Sequence, residues 1–408
     1  MASMKERDSR SSEYPLFIGL CAIGAFAILS STMSKNPALP LFAEKLGASG
    51  PELGLIAAAS TIPGILVSLP AGTLSDIYGR RRVILFSLVL FATAPLLYFF
   101  VKTPWQLVLV RFYHGFATAI FGPVANAAIA ELFPERRAER ISAFSSATIV
   151  GRSIAPLLGG WILFSTASDF RNIYGMVALS GIIALGLGLI VMRKTPLEEE
   201  STQVSHPNIG QHFTLLKEGW RRVLGDRMIL AAGSADAVQY LTYGAFEFFL
   251  VLYASSKGIN TFLIGIIGSM ELVSVTLIKP IFGWLSDRFG RRPVILGGFI
   301  LGSAALASVP ATSEFFGLAM ASLLYGLGFA AVTSSTPAFV SDNIDRSYYG
   351  SAMGALSMIM DIGQTFGPVL TGFIIAAFDF SVAFEALALL LLSFGFLFYF
   401  ATRIRSPT

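Results

Sequence analysis

Ionisable side chains interrupt several apolar stretches of this sequence that are otherwise suited to a lipid interior. They are Lys35, Arg111, His114, Arg152, Asp236, Glu247, Glu271, Lys279 and Asp361. A charge at the centre of a membrane helix costs at least about 2.5 kcal/mol, so such side chains mark ion pathways, proton relays or ligand sites. No metal-ligand cluster, nucleophile elbow or pair of catalytic carboxylates accompanies them. The chemistry to expect is therefore the movement of protons or charged groups, without a cofactor.

Four of these side chains are candidates for carrying a proton, namely Asp236, Glu271, Asp361 and His114. Burial in a low dielectric favours the neutral form of a carboxyl group, which can then load and release a proton as its access alternates. Histidine titrates near neutral pH without help. Arg111 lies one helical turn from His114 and would hold the imidazole neutral, which favours a hydrogen-bonding role. Glu271 or Asp236 is the first choice, because Asp361 is also placed to face the second span as a structural residue.

The elements that must hold these side chains are long apolar segments. Of the 408 residues, 54% are hydrophobic and only 13% are charged, whereas soluble domains carry roughly 25% charged residues. A helix of about 20 residues crosses the hydrocarbon core, and backbone groups in lipid must be paired within their segment. Charge-free runs long enough to cross are Tyr14–Ser34, Leu53–Ser75, Val83–Val101, Asn172–Met192, Pro293–Ser313 and Phe315–Ser341. Runs with isolated charges are 103–130, 141–168, 228–256, 258–286, 347–378 and 381–402, which makes twelve predicted spans.

The positive charges predict the orientation of these spans. With a cytoplasmic N-terminus, most of the 29 lysines and arginines fall in the inner segments, and the outer loops hold only Lys45, Lys102, Arg171 and Lys257. This bias follows the positive-inside rule. We therefore expect a multi-pass protein of the cell membrane with both termini in the cytoplasm. The basic excess reflects this orientation, so no nucleic-acid partner is expected.

A motif in the first half of the chain recurs in the second half. Gly72-Thr-Leu-Ser-Asp76-Ile-Tyr-Gly79-Arg80-Arg81 returns 211 residues later as Gly283-Trp-Leu-Ser-Asp287-Arg-Phe-Gly290-Arg291-Arg292. A second pair, Gly151 to Gly160 and Gly363 to Gly372, recurs at an offset of 212. The sequence thus predicts a tandem duplication: a six-helix bundle over 1–192, a cytoplasmic linker over 193–226 and a second bundle over 227–408. The linker is expected to be either a short interfacial helix, with Phe213, Leu216, Trp220 and Val223 on one face, or a flexible tether.

The repeated loop resembles the signature between the second and third spans of the major facilitator superfamily. Arg111-Phe-Tyr-His-Gly115 is similar to that family's fourth-span motif, and Gly151 to Gly160 resembles the fifth-span motif of its antiporters. Pro37 to Gly47 is similar to the end of the first span in its twelve-span drug:proton antiporter branch. The resemblance implies an all-α integral membrane fold, with twelve transmembrane helices in two six-helix pseudo-symmetric bundles. It also implies that spans one, four, seven and ten line a cavity, while span five packs on eight and two on eleven.

The resemblance implies that the repeated loop is a latch for the outward-facing state. Its candidate residues are Gly72, Asp76, Gly79, Arg80, Arg81, Gly283, Asp287, Gly290, Arg291 and Arg292. A carboxylate beside arginines can form ion pairs and cap a neighbouring helix, and the glycines permit turns and close backbone approach. The alternative is an anchor only, in which the arginines keep the loop in the cytoplasm.

Further candidates concern gating and the pocket. The repeat aligns Lys35 with Glu247, and we expect an ion pair between them at the outer mouth and a second pair between Arg152 and Glu271. The alternative is static salt bridges within one half.

The remaining cavity candidates are Arg111, Asn126, Gln239, Tyr240 and Tyr243, beside the seventh-span aromatics Phe246, Phe248 and Phe249, which form either a pocket or a packing surface. Hinge candidates are Gly151, Pro156, Gly367 and Pro368, since proline removes a helical hydrogen bond; static kinks are the alternative.

These features together predict a secondary transporter that exports hydrophobic or amphipathic small molecules by proton antiport through alternating access. No Gly-x-x-x-x-Gly-Lys-Ser/Thr stretch occurs, so the energy is expected from an ion gradient rather than from ATP. Uptake of an organic anion, sugar or other metabolite by proton symport is the alternative within transport. A non-transporting membrane sensor or a membrane-embedded enzyme is the alternative of another class. The expected partners are a small-molecule substrate, protons and membrane lipid, and the chain is expected to work as a monomer.

Overall fold

The computed structural model describes residues 2–193, 227–343 and 349–403, and all regular structure in these ranges is helical. The predicted linker helix falls within 194–226 and therefore lies outside the described residues. Eleven of the described helical segments are long and apolar enough to cross a membrane. The ninth predicted span, Arg291–Ser308, is an 18-residue helix whose first two residues are arginines. It completes the predicted set of twelve.

The first six spans occupy the first half of the chain. They are Ala2–Lys35, continued by the short helix Ala38–Lys45; Gly50–Ala58 with Ile62–Tyr78; Arg80–Leu97, extended by a 3₁₀ turn at Tyr98–Phe100; Pro104–Leu132; Arg137–Ser165, after a 3₁₀ turn at Pro134–Arg136; and Phe170–Met192. The second span is thus broken at residues 59–61, where the sequence predicted one continuous segment. At the break Thr61 Oγ1 donates to the carbonyl of Ala58 at 2.8 Å, and Pro63 lies in the first turn of the second piece.

The second half repeats this arrangement without the break. Its spans are Arg227–Ser256, Thr261–Phe289, Arg291–Ser308, Phe315–Asn343, Tyr349–Ala377 and Phe380–Arg403.

The side of the molecule with the turns at Gly79 and Gly290 is called inner here, following the predicted orientation, and the opposite side is called outer. Both glycines have positive φ, +87° and +93°, which side chains rarely adopt. These two glycines therefore allow the tight inner turns between spans two and three and between spans eight and nine.

Several helices that begin on the outer side have side-chain caps. Thr103 Oγ1 accepts from the backbone of Gln106 at 3.4 Å, Asp169 Oδ1 from Arg171 at 2.9 Å, and Asn260 Oδ1 from Leu263 at 2.9 Å. Such caps accept hydrogen bonds from backbone N–H groups that the first helical turn leaves free, and each cap typically stabilises the fold by about 1 kcal/mol. They fix where the fourth, sixth and eighth spans begin.

The two halves share one packing scheme. In each half the first span packs on the fifth and sixth spans of that half, the third on the fourth and sixth, and the second on the fourth. Glycines at equivalent positions make equivalent contacts: a Cβ at Gly151 would meet the carbonyl of Ala25, and a Cβ at Gly363 would meet the carbonyl of Ala237. The residue numbers in both pairs differ by 212 between the halves. The predicted pseudo-symmetric pair of six-helix bundles is confirmed.

Contact between the halves follows the same symmetry and lies on the outer side. The fifth span packs on the eighth, and the second on the eleventh. Gly160 fits against the backbone of Gly265, and Gly372 against Gly54, so that small residues bring each helix pair together. The short helix Ala38–Lys45 packs on the seventh span. A single hydrophobic cluster therefore contains both Leu39 of the first half and Phe248 of the second.

Candidate functional site

A cavity of about 980 Å³ lies between the two halves. Its lining residues come from spans one, two, four and five and from spans seven, eight, ten and eleven. Within the described residues, spans three, six, nine and twelve contribute nothing to the lining. The cavity reaches into the inner half of the molecule, where Pro123 and Ser334 line it. Both halves therefore contribute equally to one central chamber.

Polar contacts between the halves close the cavity on its outer side. Lys35 Nζ lies 2.7 Å from Glu247 Oε2, and the Glu247 side chain is only 6% exposed. The hydroxyls of Thr61 and Thr365 lie 2.6 Å apart and join the second span to the eleventh. Ser269 Oγ accepts from the backbone of Leu157 at 3.0 Å, joining the fifth span to the eighth. These contacts, with the glycine contacts beside them, form the outer closure.

The Gly265 contact gives a direct test of the outer closure. A Cβ at Gly265 would run into the carbonyl of Pro156, so Gly265→Leu should weaken the closed state. Overpacking typically costs about 1–3 kcal/mol, which would raise access from outside at least about fivefold. The measurement is the rate at which a membrane-impermeant maleimide applied outside labels Ser31→Cys, a cavity position, in a Cys21→Ser background.

Gly186→Leu is the matched control for this substitution, because a Cβ at Gly186 would meet nothing within 4 Å. Equal labelling rates in Gly265→Leu, in Gly186→Leu and in the parent chain would mean that this glycine contact does not hold the outer side closed.

The inner turns carry one ionic network in each half. Arg80 Nε donates to Glu131 Oε2 at 2.5 Å, and an Arg80 guanidinium NH donates to Ser75 Oγ at 2.9 Å. The residues 211 positions later repeat this arrangement: Arg291 donates to Asp342 at 3.0 Å and to Ser286 at 2.8 Å, and also pairs with Asp287. The contacts named here each join elements of the same half. Arg81 and Arg292 lie beside these networks, in the first turns of spans three and nine.

Gly283, which was predicted to allow close approach at the latch, differs from the turn glycines. A Cβ at Gly283 would meet nothing within 4 Å in this conformation, so the close backbone approach expected at this residue stays a prediction for the outward-facing state. Gly283 lies in the inner part of the eighth span, away from the outer contacts that join the halves. Gly72 and Asp76 are helical, but their side-chain positions lie outside the described part of the structure.

A buried polar cluster surrounds Arg111 in the first half. One guanidinium nitrogen donates to Ser60 Oγ at 2.6 Å, and the other donates to Ser34 Oγ and to Tyr98 Oη, both at 3.4 Å. The same Tyr98 hydroxyl lies 3.3 Å from His114 Nδ1. Sequence reasoning missed Tyr98, which ends an apolar run and carries no charge to mark it. His114 occupies the hydrogen-bonded position that the sequence favoured.

The four predicted proton carriers fall into two groups. Asp361 and His114 line the cavity, whereas Asp236 and Glu271 do not. Asp236 is 5% exposed and accepts a hydrogen bond from Thr336 Oγ1 at 2.7 Å, and Glu271 is 2% exposed. Glu271 Oε1 has no hydrogen-bond partner among the described residues. The first choice from sequence, Glu271 or Asp236, therefore selects the two carboxyls that are sealed from the chamber in this conformation.

One predicted ion pair does not form, and two residues predicted to line the cavity do not line it. Arg152 is exposed in the cavity and forms no ion pair with Glu271 among the described residues, so that predicted pair is wrong for this conformation. Gln239 is fully buried and Asn126 is half-buried, and neither lines the cavity. Gln239 instead packs inside the second half, 4.0 Å from the position a Cβ would take at Gly302.

The aromatic set of the seventh span divides between cavity and core. Tyr240 and Tyr243 line the cavity beside Phe329 of the tenth span, with ring centroids 5.1 Å and 4.4 Å from Phe329. Phe246, Phe248 and Phe249 are buried in the second half, and Phe246 stacks on Tyr325 at 4.2 Å. The two tyrosines and Phe329 are called the aromatic wall below. The three phenylalanines are packing residues.

The hinge candidates lie at helix contacts rather than at helix breaks. Spans five and eleven run through Pro156 and Pro368 without interruption. The carbonyl of Pro156 faces Gly265, and the carbonyl of Pro368 lies 2.5 Å from the position of a Cβ at Gly54. Gly151 and Gly367 instead pack on spans one and seven of their own halves. The two prolines thus lie where the halves meet, and the two glycines lie where each bundle holds together.

Comparisons with known proteins agree with this architecture. The chain matches the Major Facilitator Superfamily over residues 20–275 and 237–408. It is 24% identical over 339 residues to an uncharacterised MFS-type transporter of Methanocaldococcus jannaschii, covering 83% of this chain and 86% of that protein. It is 26% identical over 362 residues to the multidrug resistance protein MdtG of Proteus mirabilis, covering 85% and 86% respectively.

Solved structures share the fold at lower identity. A mutant of the nucleoside transporter NupG superposes with a TM-score of 0.81 at 16% identity, over 95% of this chain and all of that one. An inward-facing, unoccupied bacterial homologue of the human lysosomal transporter Spinster superposes with a TM-score of 0.77 at 14% identity, over 97% and 99%. The chain thus belongs to the Major Facilitator Superfamily, and it is a multi-pass membrane transporter rather than an enzyme.

Proposed function

We propose that this transporter exports amphipathic small molecules in exchange for protons by alternating access. The observation that carries the proposal is the central cavity, which the Lys35–Glu247 pair and the paired glycine contacts close on the outer side. With the inner turns in the cytoplasm, this conformation is inward-facing. Rocking of the two halves about the site would then open the outer side and close the inner side.

The lining of the cavity suits an amphipathic ligand. The aromatic wall and aliphatic residues such as Ile28 and Leu272 supply apolar contact, while charged groups from both halves lie among them. Pockets for small molecules commonly combine an apolar lining with a few polar groups that fix orientation. The similarity to a protein named for multidrug resistance supports export rather than uptake.

Proton exchange is assigned to Asp361. Its carboxylate lies in the cavity at the contact between spans eleven and two, 3.3 Å from the position a Cβ would take at Gly64. A carboxyl group at this seam can bind a proton when it faces one side and lose it when it faces the other. Asp236 and Glu271 lack contact with the chamber and are assigned to the packing of the second half.

Proton-coupled uptake of an organic anion is the second candidate, because the cavity is lined by more cationic than acidic side chains. Proteoliposomes with an imposed pH gradient separate the two. Movement of substrate against the proton flow supports export, whereas accumulation in the direction of the proton flow supports symport. Transport whose rate and extent are the same with and without the pH gradient would contradict both.

A further inference from the structure

Two cations of the cavity form no ion pair with a carboxylate among the described residues. Arg152 of the fifth span and Lys279 of the eighth span both line the chamber, one from each half. Among the described residues, no carboxylate oxygen lies within 4.0 Å of either side-chain charge. The charge of Lys279 is attracted by Asp236 and, more weakly, repelled by Arg152. Like charges that face one chamber repel each other, and an anion placed between them would remove that repulsion.

The carboxylates around these cations form no ion pair with them among the described residues. Glu247 pairs with Lys35 at 2.7 Å, and Asp236 accepts its hydrogen bond from Thr336 at 2.7 Å. Asp236 acts on Lys279 only through space, and Asp361 faces Gly64 of the second span. The lining as a whole contains four cationic side chains, Lys35, Arg111, Arg152 and Lys279, against the two carboxylates Glu247 and Asp361. This excess of two positive charges favours an anionic ligand over a cationic one.

We propose that Arg152 and Lys279 bind the acidic group of an amphipathic organic anion, whose apolar body lies against the aromatic wall. The inference rests on the proposed function and names its substrate class. A guanidinium can donate two parallel hydrogen bonds to a carboxylate, sulfonate or phosphonate, and an ammonium adds a point charge beside it. Tyr243 and Phe329, with ring centroids 4.4 Å apart, supply the apolar contact in the same chamber.

This site also links binding to the motion of the halves. Arg152 belongs to the first half and Lys279 to the second, so their repulsion opposes closure of the inner side. An anion between them replaces this repulsion by two attractions. A bound anion thus favours the conformation in which the inner ends of spans five and eight approach each other, whereas a bound cation does not.

Two permanently charged probes with the same ring test the site. The purified full chain is titrated with 2-naphthalenesulfonate and with trimethyl(2-naphthyl)ammonium, and binding is measured by calorimetry without any gradient. The sulfonate is expected to bind at least about tenfold more tightly, which is the effect of one or two charge-assisted hydrogen bonds. Arg152→Gln and Lys279→Gln are each expected to weaken sulfonate binding by about tenfold or more. Arg152→Lys should restore part of the loss.

The control is Arg171→Gln, which removes an exposed arginine outside the cavity and should leave sulfonate binding unchanged. Equal affinity for the two probes, failure to bind either, or sulfonate binding that survives both glutamine substitutions would overturn the inference. Gradient-driven transport of other compounds would in that case leave the proposed function standing. Conversely, selective sulfonate binding without any proton-dependent transport would support the site and remove the proposed exchange.

Discussion

Asp361→Asn is expected to abolish the response of transport to a pH gradient while exchange of substrate across the membrane continues. An asparagine keeps the shape of the side chain at the seam between spans eleven and two but cannot bind and release a proton. A gradient of about two pH units is worth about 2.7 kcal/mol per proton, enough to hold a roughly hundredfold substrate gradient. The variant should lose this accumulation. The measurement compares gradient-driven accumulation with substrate counterflow in the same proteoliposomes.

The controls for this prediction are carboxylates outside the chamber. Glu385→Gln removes an exposed acid of the twelfth span and should leave both activities intact. Asp236→Asn and Glu271→Gln remove the two sealed carboxyls. If either of these abolishes the gradient response while Asp361→Asn retains it, proton exchange belongs to the sealed group and the assignment to Asp361 is wrong.

Reversal of the charge at position 35 is expected to cause the second large effect. Lys35→Glu places a carboxylate opposite Glu247, whose side chain is 6% exposed, in place of an ion pair at 2.7 Å. Breaking a buried pair typically costs about 3–5 kcal/mol, and the partial exposure of Lys35 lowers this to a few kcal/mol. Transport should fall at least about tenfold, because the outer closure becomes the less populated state. The measurement is the initial rate of transport at equal protein density.

The double variant Lys35→Glu with Glu247→Lys distinguishes a pair from two independent residues. It restores attraction across the two halves, so it should recover part of the lost rate. Recovery would show coupling between the sites, as in any double-mutant cycle. Additive losses in the double variant would mean that Lys35 and Glu247 act separately, and the pair would then have no role in closing the outer side.

Much of the architecture could be predicted from sequence, because lipid imposes strong rules. A segment long enough to cross the membrane must be a helix, which gave the twelve spans. The repeat offset predicted the symmetry, and it also brought Lys35 and Glu247 to equivalent ends of spans one and seven. The break at residues 59–61 was missed, since no charged residue interrupts the run there and only Pro63 signals a new helix start.

The direction in which each side chain points could not be predicted in the same way. In a helix of a soluble protein the polar residues mark the solvent face, so the opposite face can be identified as buried. A membrane helix is apolar on most sides and carries no such mark. A step of one residue rotates the side chain by about 100°, and this decides its environment. Glu271 is sealed while Leu272 lines the cavity, and Gln239 is sealed while Tyr240 lines it. The predicted contact between Arg152 and Glu271 failed for this reason.

The latch residues show a further limit of sequence reasoning. The paired motifs predicted that Asp76 and Asp287 pair with the arginines beside them, and Arg291 does contact Asp287. The structure adds Glu131 as a partner of Arg80 and Asp342 as a partner of Arg291, at the same offset, and the motifs named neither of these two acids. In the conformation with the outer side closed, the Arg80–Glu131 and Arg291–Asp342 pairs each join two spans of one half. The latch would hold the outward-facing state, in which the inner ends of the two halves are in contact. The structure has the opposite conformation, so it does not test that role. That role therefore stays a prediction.

Spin-label distances on the two sides of the molecule test the rocking of the halves most directly. In a Cys21→Ser background, one label pair joins the exposed outer positions Arg171 and Glu314, and another joins the exposed inner positions Glu135 and Phe289. Pulsed electron resonance is recorded with and without Glu247→Gln, which removes the Lys35 pair. Alternating access predicts that this substitution populates a longer outer distance together with a shorter inner distance. Outer and inner distances that lengthen together, or that both stay unchanged, would contradict it.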